Sequence, residues 1–363
     1  MTPPHTAPRV IQLIPNAHTG GAEVLALRLG AALRARGWHS SLWVMGSPGP
    51  ISDRAQALGL PTLHLHRRGR WDLGLIPRLR SALTEHRVDL VHTHLTTALL
   101  WCLPASHAGR RTLIHTIHGD EPQPAIRALR DAATLGIDAL VACAPCVRDA
   151  TTSRGSSSTE LVTIPNGVSL PREHAACTGA PAQIACVARL ADGKGHLDLI
   201  DAMRRIARPH RPVLHLIGGG PRRPQIEARI RSLGLQTHVR LHGEVDDPNH
   251  TLLHMDLFAL PSHAEALPLS ALEAGAAGLP LLLTDVGDTS RIVTRGGGWL
   301  IPPRRPDLLA SAIRALVAMP PPERRAMGGA ARERVRAAFC HDRMVDEHER
   351  LYERHLGSRT RRR

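Results

Sequence analysis

The chain predicts an α/β protein made of two doubly wound, Rossmann-like βαβ domains. Three observations carry this. Its 363 residues exceed one ordinary core and suit two. Short apolar runs of strand length alternate with segments of helical period, first from Arg9 to Val168 and again from Ile184 onward. Between the two series lies PREHAACTGAPAQ, from Pro171, which has no period and reads as a linker. The expected boundaries are 1–172 for the first domain and 173–339 for the second. A last helix at about 340–357 is expected to pack back on the first domain, with a basic tail at 358–363.

In the first series RVIQLI, from Arg9, reads as a buried strand. The loop PNAHTGG follows, then a helix ending at Gly37 and the strand SSLWVMG. Gly20 and Gly21 stand at the helix start, where backbone can approach a ligand; the loop is not GxGxxG and makes no case for a dinucleotide. PTLHLH is a third strand. The next stretch sets Arg67, Arg68, Arg70, Arg78 and Arg80 among Trp71, Leu73, Leu75, Ile76 and Leu79. Its apolar residues fit a helix packed on the sheet, and its arginines fit an acceptor or an anionic membrane surface. VDLVHTH, TLIHTIHGD, IDALVACAP and ELVTIPNGV supply further strands. His118 and Gly119 stand at the carboxyl end of one of them, where open α/β sheets bind ligands. His115 and His118 are three apart, so a continuous strand would send them to opposite faces. Pro165-Asn166-Gly167 makes a turn that can present an amide group.

The second series begins with IACVARL, the turn ADGKG and the helix HLDLIDAMRRIA. Arg189 and Lys194 flank this turn beside a helix N-terminus, a suitable clamp for a diphosphate. VLHLIGGG ends in Gly218, Gly219 and Gly220, where bulk is forbidden or backbone comes close. A helix, the strand VRLHG, a short helix and the strand DLFALPS lead to SHAEALPLSALEAGAAGLP, from Ser262 to Pro280. There Glu265 lies in a loop, Pro268 can open a helix, Glu273 lies near its second turn, and Gly278 with Pro280 stops it. A loop carboxylate, an anion-favouring helix start at Leu267–Leu269 and a helical carboxylate suit a molecule with both hydroxyls and phosphates. LPLLLTDVG, GGWLIPP and a helix from Asp307 complete the series. Two such domains would turn their strand ends toward one cleft.

Composition narrows the partners. Net charge is +14, and aromatics make up 2% of the chain. So few aromatics argue against a stacking platform for single-stranded nucleic acid, and no helix-turn-helix, zinc-finger or RNA-binding signature is present. Nucleic acid is therefore not an expected partner. Phosphorylated small molecules and an anionic membrane surface remain. The basic residues are 45 Arg and a single Lys, Lys194, so a compact point charge on a flexible stem is wanted at that position. Cys143 and Cys146 form a lone CxxC among six cysteines. Without a second pair they do not build a zinc site, and strand-end packing is favoured over redox chemistry. No stretch has the form of a signal peptide or a transmembrane helix. The expectation is a cytoplasmic protein whose contact with the membrane is peripheral.

With these residues in order, the chain resembles the retaining glycosyltransferases of the group 1, or family 4, type, with the GT-B fold. The resemblance covers nearly the whole chain, through GGAE (20–23), IPNGV (164–168), VARLADGKG (187–195), GGGP (218–221), LPSHAEALPLSALEAGAAGLP (260–280) and DVG (285–287). It implies a UDP- or GDP-sugar donor held by the second domain and a saccharide or polyprenyl-linked acceptor held by the first. Arg189 and Lys194 match the diphosphate ligands, Glu265 the acid near the sugar hydroxyls, and Glu273 the acid that accepts from the ribose. His118 matches the active-site histidine, and Gly20–Gly21 the donor-facing loop. Asn166, Gly218, Gly219, Ala266, Leu267, Pro268 and Leu269 fall in the donor-contacting motifs. The resemblance implies no cofactor and no metal, Arg and Lys taking over charge neutralisation. It also implies same-face attack, with the leaving diphosphate taking the acceptor proton, so that neither Glu need be a covalent nucleophile.

The pattern departs from the family at three places. Ala266 stands where a glycine usually follows the first motif Glu, and Asp288 and Arg291 stand after DVG where Gly and Glu are usual. Two other readings stand beside the leading one. One is another GT-B enzyme, such as a nucleotide-sugar epimerase or a sugar phosphorylase, for which His118 is the one good acid/base candidate. The other is a GT-B binding protein that has lost catalysis.

Overall fold

The structure is a computed structural model and describes residues 7–106, 111–119, 123–153, 159–175, 182–245, 247–293 and 296–360. It divides into two compact units. One comprises Met1–Asn166 with Arg343–Arg363, the other Gly167–Asp342.

The first unit runs β1 (Arg9–Ile14), α1 (Gly21–Ala35), β2 (His39–Val44), α2 (Pro50–Ala57), β3 (Thr62–His64), α3 (Leu75–Glu85), β4 (Leu90–His94), α4 (Thr96–Ser106), β5 (Thr112–Ile117), α5 (Pro124–Ala133), β6 (Ala139–Ala142), α6 (Pro145–Thr152) and β7 (Glu160–Thr163). Among the described residues its strands form one seven-stranded sheet in the order β3-β2-β1-β4-β5-β6-β7. The pairings are parallel, for example Val10 beside Ser40 and Leu90. β1, β4 and β5 are buried almost end to end, as strands covered by helices on both faces must be. In α1 the residues Leu25, Leu29 and Leu33 recur every turn on one face and are buried.

The second unit runs β8 (Gln183–Val187), α7 (His196–Arg204), β9 (Val213–Ile217), α8 (Arg223–Ser232), β10 (Val239–Gly243), α9 (Pro248–Leu252), β11 (Leu257–Leu260), α10 (Leu269–Ala276), β12 (Leu281–Thr284), α11 (Thr289–Ile292), β13 (Gly298–Ile301), α12 (Pro306–Ala318) and α13 (Pro321–Ala338). Its six-stranded parallel sheet is ordered β10-β9-β8-β11-β12-β13. α13, PPERRAMGGAARERVRAA, escapes sequence reading because charge surrounds it and glycines interrupt its apolar face. One of those glycines serves packing: a Cβ on Gly328 would lie 1.8 Å from Gly278 O, and on the facing side one on Gly275 of α10 would lie 2.9 Å from Val335 Cγ2. α13 thereby holds α10 in place.

The stretch from Pro171 is no free linker where it is described. Ala175 N donates to Ala277 O at 2.8 Å, and Arg332 Nη2 donates to Pro171 O at 2.6 Å. The stretch is aperiodic because it packs as an irregular strap on the second unit. The CxxC is divided between two elements: Cys143 follows β6 in the core and Cys146 lies in the first turn of α6.

The last helix, α14 (His341–Thr360), returns to the first unit. Its polar flank is tied there by Arg36 to Asp346 at 2.5 Å, by Trp38 Nε1 to Glu349 at 2.8 Å, and by Arg354 and His355 to Glu160. Its inward face places Tyr352 in the core, where the phenol accepts from Gln12 Nε2 at 3.3 Å and lies 2.5 Å from His92 Nδ1. Removing that hydroxyl strands buried partners, which costs more than the bond itself. Tyr352→Phe is expected to lower stability by roughly 1–3 kcal/mol, read from the urea midpoint; an unchanged midpoint would contradict this docking.

Candidate functional site

In the second unit the strand order reverses between β8 and β11, the place where open α/β sheets bind ligands. The loop after β8 carries Lys194, and the loop after β11 carries Glu265. Lys194 Nζ lies 2.6 Å from Glu265 Oε1, which also accepts from Ser262 Oγ at 2.8 Å. Ser262 is positioned in turn by its carbonyl, which accepts from Thr284 Oγ1 at the end of β12. The Glu265 side chain is 11% exposed and that of Lys194 31%. A pair so close to water contributes at most about 1 kcal/mol to stability. Its effect is to hold the two charged ends side by side.

Glycines make these loops possible. Gly195 has φ +68, and a Cβ there would lie 1.9 Å from Pro261 O. Gly287, the last residue of DVG, has φ +54, and a Cβ would lie 1.9 Å from Glu265 O. Gly218 and Gly220, just beyond β9, would collide with Ala188 O at 2.2 Å and Leu190 O at 2.4 Å. The glycine loop thus packs against residues 188–190 and sets the backbone that carries Arg189. Arg189 is exposed and has no ion-pair partner among the described residues. Gly219 borders Glu244, a carboxylate that the sequence reading did not single out.

Pro268 is the N-cap of α10 and not its first-turn residue, and no side chain caps the helix. The N–H groups of Leu269 and Ser270 therefore have no acceptor among the described residues and mark an anion-favouring end. Leu267 and Pro268 are buried, and Ala266 and Leu269 are half-buried. Glu273 is buried one turn on. Two departures from the family pattern meet in one contact, since Asp288 N donates to Ala266 O at 2.9 Å. Arg291, in α11, is exposed. His263 pairs with Asp198 of α7 at 2.7 Å and binds Gly193 O through its amide. Neither partner carried a sequence signal.

In the first unit a cavity of about 490 Å³ opens at the carboxyl ends of β1, β4 and β5. Asn16, Arg67, Thr96, His115, His118 and Arg130 are among its lining. β5 ends at Ile117, so strand alternation does not reach His118, and His115 and His118 line the same cavity. Leu95, at the turn into α4, is held at φ 67, a strained position for a branched residue beside this site. His118 Nε2 lies 3.0 Å from His94 Nδ1, and His115 Nδ1 lies 2.9 Å from Thr93 Oγ1. Loss of hydration, then the charges of neighbouring histidines, pushes the His115 and His118 imidazoles down to about 3.

Gly20 is the N-cap of α1 and Gly21 its first residue. Asn166, which closes the first unit, is buried, and its backbone N–H donates to Cys143 O at 3.3 Å. The basic stretch divides in two. Leu75, Leu79 and Leu83 of α3 are buried, whereas Trp71 and Leu73 lie in the preceding loop, 78% and 71% exposed. Arg68 and Arg70 are exposed, with Arg70 over the Trp71 ring, and Arg78 is engaged by Asp72 at 2.6 Å.

Two outcomes test this geometry. Gly287→Ala combines left-handed strain with a clash on Glu265 O, so unfolding free energy should fall by roughly 2–4 kcal/mol in urea titrations; full stability would refute the packing. The second concerns pH. His115 and His118 bind protons less well folded than unfolded, where a histidine titrates near about 6.5. Between that value and about 3 the unfolded chain holds more protons, so their contribution to stability is intact above 6.5 and is lost on acidification. Each such group contributes a slope approaching about 1.4 kcal/mol per pH unit. Urea midpoints should drop steadily from pH 7 to 5, and a flat profile would exclude neutral buried imidazoles.

Comparison with known proteins agrees with this layout. The family model described as "Glycosyl transferases group 1" matches residues 174–334, and the one described as "Glycosyltransferase Family 4" matches residues 19–172. A glycogen synthase of Mycobacterium tuberculosis is 34% identical over 214 residues, 56% of this chain, which spans half the length of that relative. An O-antigen biosynthesis glycosyltransferase of Escherichia coli, WbnH, is 38% identical over 88 residues, 24% of this chain and 25% of that protein. Among solved structures, Anabaena HepE in complex with UDP-glucose superposes with a TM-score of 0.83 at 20% identity, over 95% of this chain and 99% of that one. Two parallel-sheet Rossmann-like units, the ordered motifs and both matching models have one reading: the chain belongs to the group 1 glycosyltransferases of GT-B fold.

Proposed function

We propose that this glycosyltransferase is a retaining, hexosyl-type enzyme. It moves a sugar from a nucleoside-diphosphate sugar to a saccharide or lipid-linked acceptor, in bacterial cell-surface polysaccharide synthesis. The observation that carries the reading is the Lys194–Glu265 pair at the strand-order reversal, beside the uncapped start of α10. Lys194 and Arg189 are the cations for the diphosphate, and the Leu269 and Ser270 N–H groups add fixed partial charge. Negative charge grows on the leaving diphosphate as the glycosidic bond breaks, and preorganised donors of this kind stabilise it. These groups take the place of a metal ion. Glu265, held by Ser262, faces the sugar hydroxyls, and Glu273 accepts from the ribose. The diphosphate takes the acceptor proton, so neither carboxylate serves as the nucleophile of a double displacement.

UDP is the favoured nucleotide, because the structural relative HepE was solved with UDP-glucose, with GDP the alternative. The likeness to an O-antigen enzyme supports the polysaccharide setting. His118 and its cavity are assigned to the transferred sugar and acceptor. Trp71 and Leu73, exposed beside Arg67, Arg68 and Arg70, suit an anionic membrane surface on the cytoplasmic side. No helix of the described residues is long and apolar enough to cross a membrane.

A thermal-shift screen with UDP, GDP and their sugars should raise the melting temperature for one nucleotide series. Lys194→Ala should weaken binding of that diphosphate by roughly tenfold or more, since a charge-assisted hydrogen bond is worth about 1.5–3 kcal/mol. Equal affinity of the variant would remove Lys194 from the donor site, and no transfer from any nucleotide sugar would remove the function.

A further inference from the structure

The cavity of the first unit is backed by an unbroken string of buried hydrogen bonds. His118 Nε2 lies 3.0 Å from His94 Nδ1, and His94 Nε2 lies 2.9 Å from Gln12 Oε1. Gln12 Nε2 donates to Tyr352 Oη at 3.3 Å, which lies 2.5 Å from His92 Nδ1. His92 Nε2 lies 2.6 Å from Thr116 Oγ1. Gln12, His92, His94 and Tyr352 are fully buried, and the two ends of the string, His118 and Thr116, both line the cavity. Tyr352 is the only tyrosine of the chain and comes from α14.

The amide of Gln12 sets the direction of the protons between it and His118. An amide oxygen only accepts and an amide nitrogen only donates. His94 must therefore carry its proton on Nε2, facing Gln12 Oε1. Its Nδ1 is then a lone pair, and His118 Nε2 must donate to it. On the other side the Tyr352 oxygen accepts from Gln12 and lies against His92 Nδ1, and His92 Nε2 meets Thr116 Oγ1. Burial supports neutral rings: loss of hydration pushes His92 and His94 well below the usual histidine range and His118 to about 3. A neutral imidazole with its proton on Nε2 has a lone pair on Nδ1, and His118 Nδ1 has no partner among the described residues.

We propose that Gln12, His94 and Tyr352 are positioning residues that hold His118 as its Nε2–H tautomer, so that Nδ1 accepts a hydrogen bond from a hydroxyl of the ligand in this cavity. That this hydroxyl belongs to a sugar rests on the glycosyltransferase reading above, whereas the tautomer does not. His118 then selects a hydroxyl over a carbonyl or a deoxy position, because a ligand without a donor there leaves a desolvated lone pair unpaired.

The test uses the full chain labelled with ¹⁵N-histidine, His118 signals being identified by their loss in His118→Asn. Long-range ¹H–¹⁵N correlation at neutral pH should show His118 with a protonated Nε2 and an unprotonated Nδ1. Gln12→Leu removes the acceptor for His94 and should give a mixture of His118 tautomers. Gln12→Glu keeps an oxygen that accepts from His94 Nε2 and should restore the single Nε2–H form. Protonation of His118 on Nδ1 in the unmodified protein overturns the proposal, and so does a Gln12→Leu variant that retains the single Nε2–H form. In transfer assays Gln12→Leu should lose roughly tenfold in kcat/KM, as for one misplaced hydrogen bond, with much of it recovered in Gln12→Glu. An unmodified chain that transfers no sugar counts against the glycosyltransferase reading alone, and the spectra still decide the tautomer.

Discussion

The Lys194–Glu265 pair joins two loops at the one place in the second sheet where consecutive strands run outward in opposite directions. Much of that unit serves to let those loops meet. Ser262 and Thr284 orient the carboxylate from the ends of two neighbouring strands. Gly195 and Gly287 remove the side chains that would strike Pro261 O and Glu265 O. Gly218 and Gly220 do the same for the loop carrying Arg189. The pair itself adds little stability, since an ion pair with one end still reaching water is worth at most about 1 kcal/mol. Its importance is geometric, because it keeps a cation and a carboxylate from two different loops within 2.6 Å of each other.

The first unit solves a different electrostatic problem. Its polar residues are sunk into the sheet, where charge is costly and hydrogen bonds must be complete. His92 and His94 therefore stay neutral. One unit holds charge at partly buried loops, and the other holds neutral rings in a string of hydrogen bonds. The C-terminal helix belongs to that network through Tyr352, so a segment remote in sequence bears on the cavity.

The family departures have a local structural meaning. Ala266 and Asp288 are joined by a backbone hydrogen bond, so the two unusual residues occupy one spot beside Glu265. A methyl stands where hydrogen is usual and a buried acid where glycine is usual, and the Lys194–Glu265 pair remains in place beside them. Arg291 is exposed on α11.

Both sheets were legible in the sequence because buried parallel strands are continuous apolar runs between turn residues. Lys194 and Glu265 were legible as residues of strand-end turns, and Glu273 as a residue of the helix that follows. The amphipathic helices α1, α3 and α12 followed from their period, whereas α13 did not, since Gly328 packs where a side chain would show the face and its charges mask the rest. The acceptors and donors that orient the site had no such signal. Gln12 meets Tyr352 across 340 residues, His92 meets the same hydroxyl across 260, and Lys194 meets Glu265 across 71. Local sequence reports which side of an element is buried, because burial follows the period of the backbone. Which polar atoms then meet inside was decided only when the sheets formed and α14 docked, because hydrogen bonds depend on the distance between atoms and not on their separation along the chain.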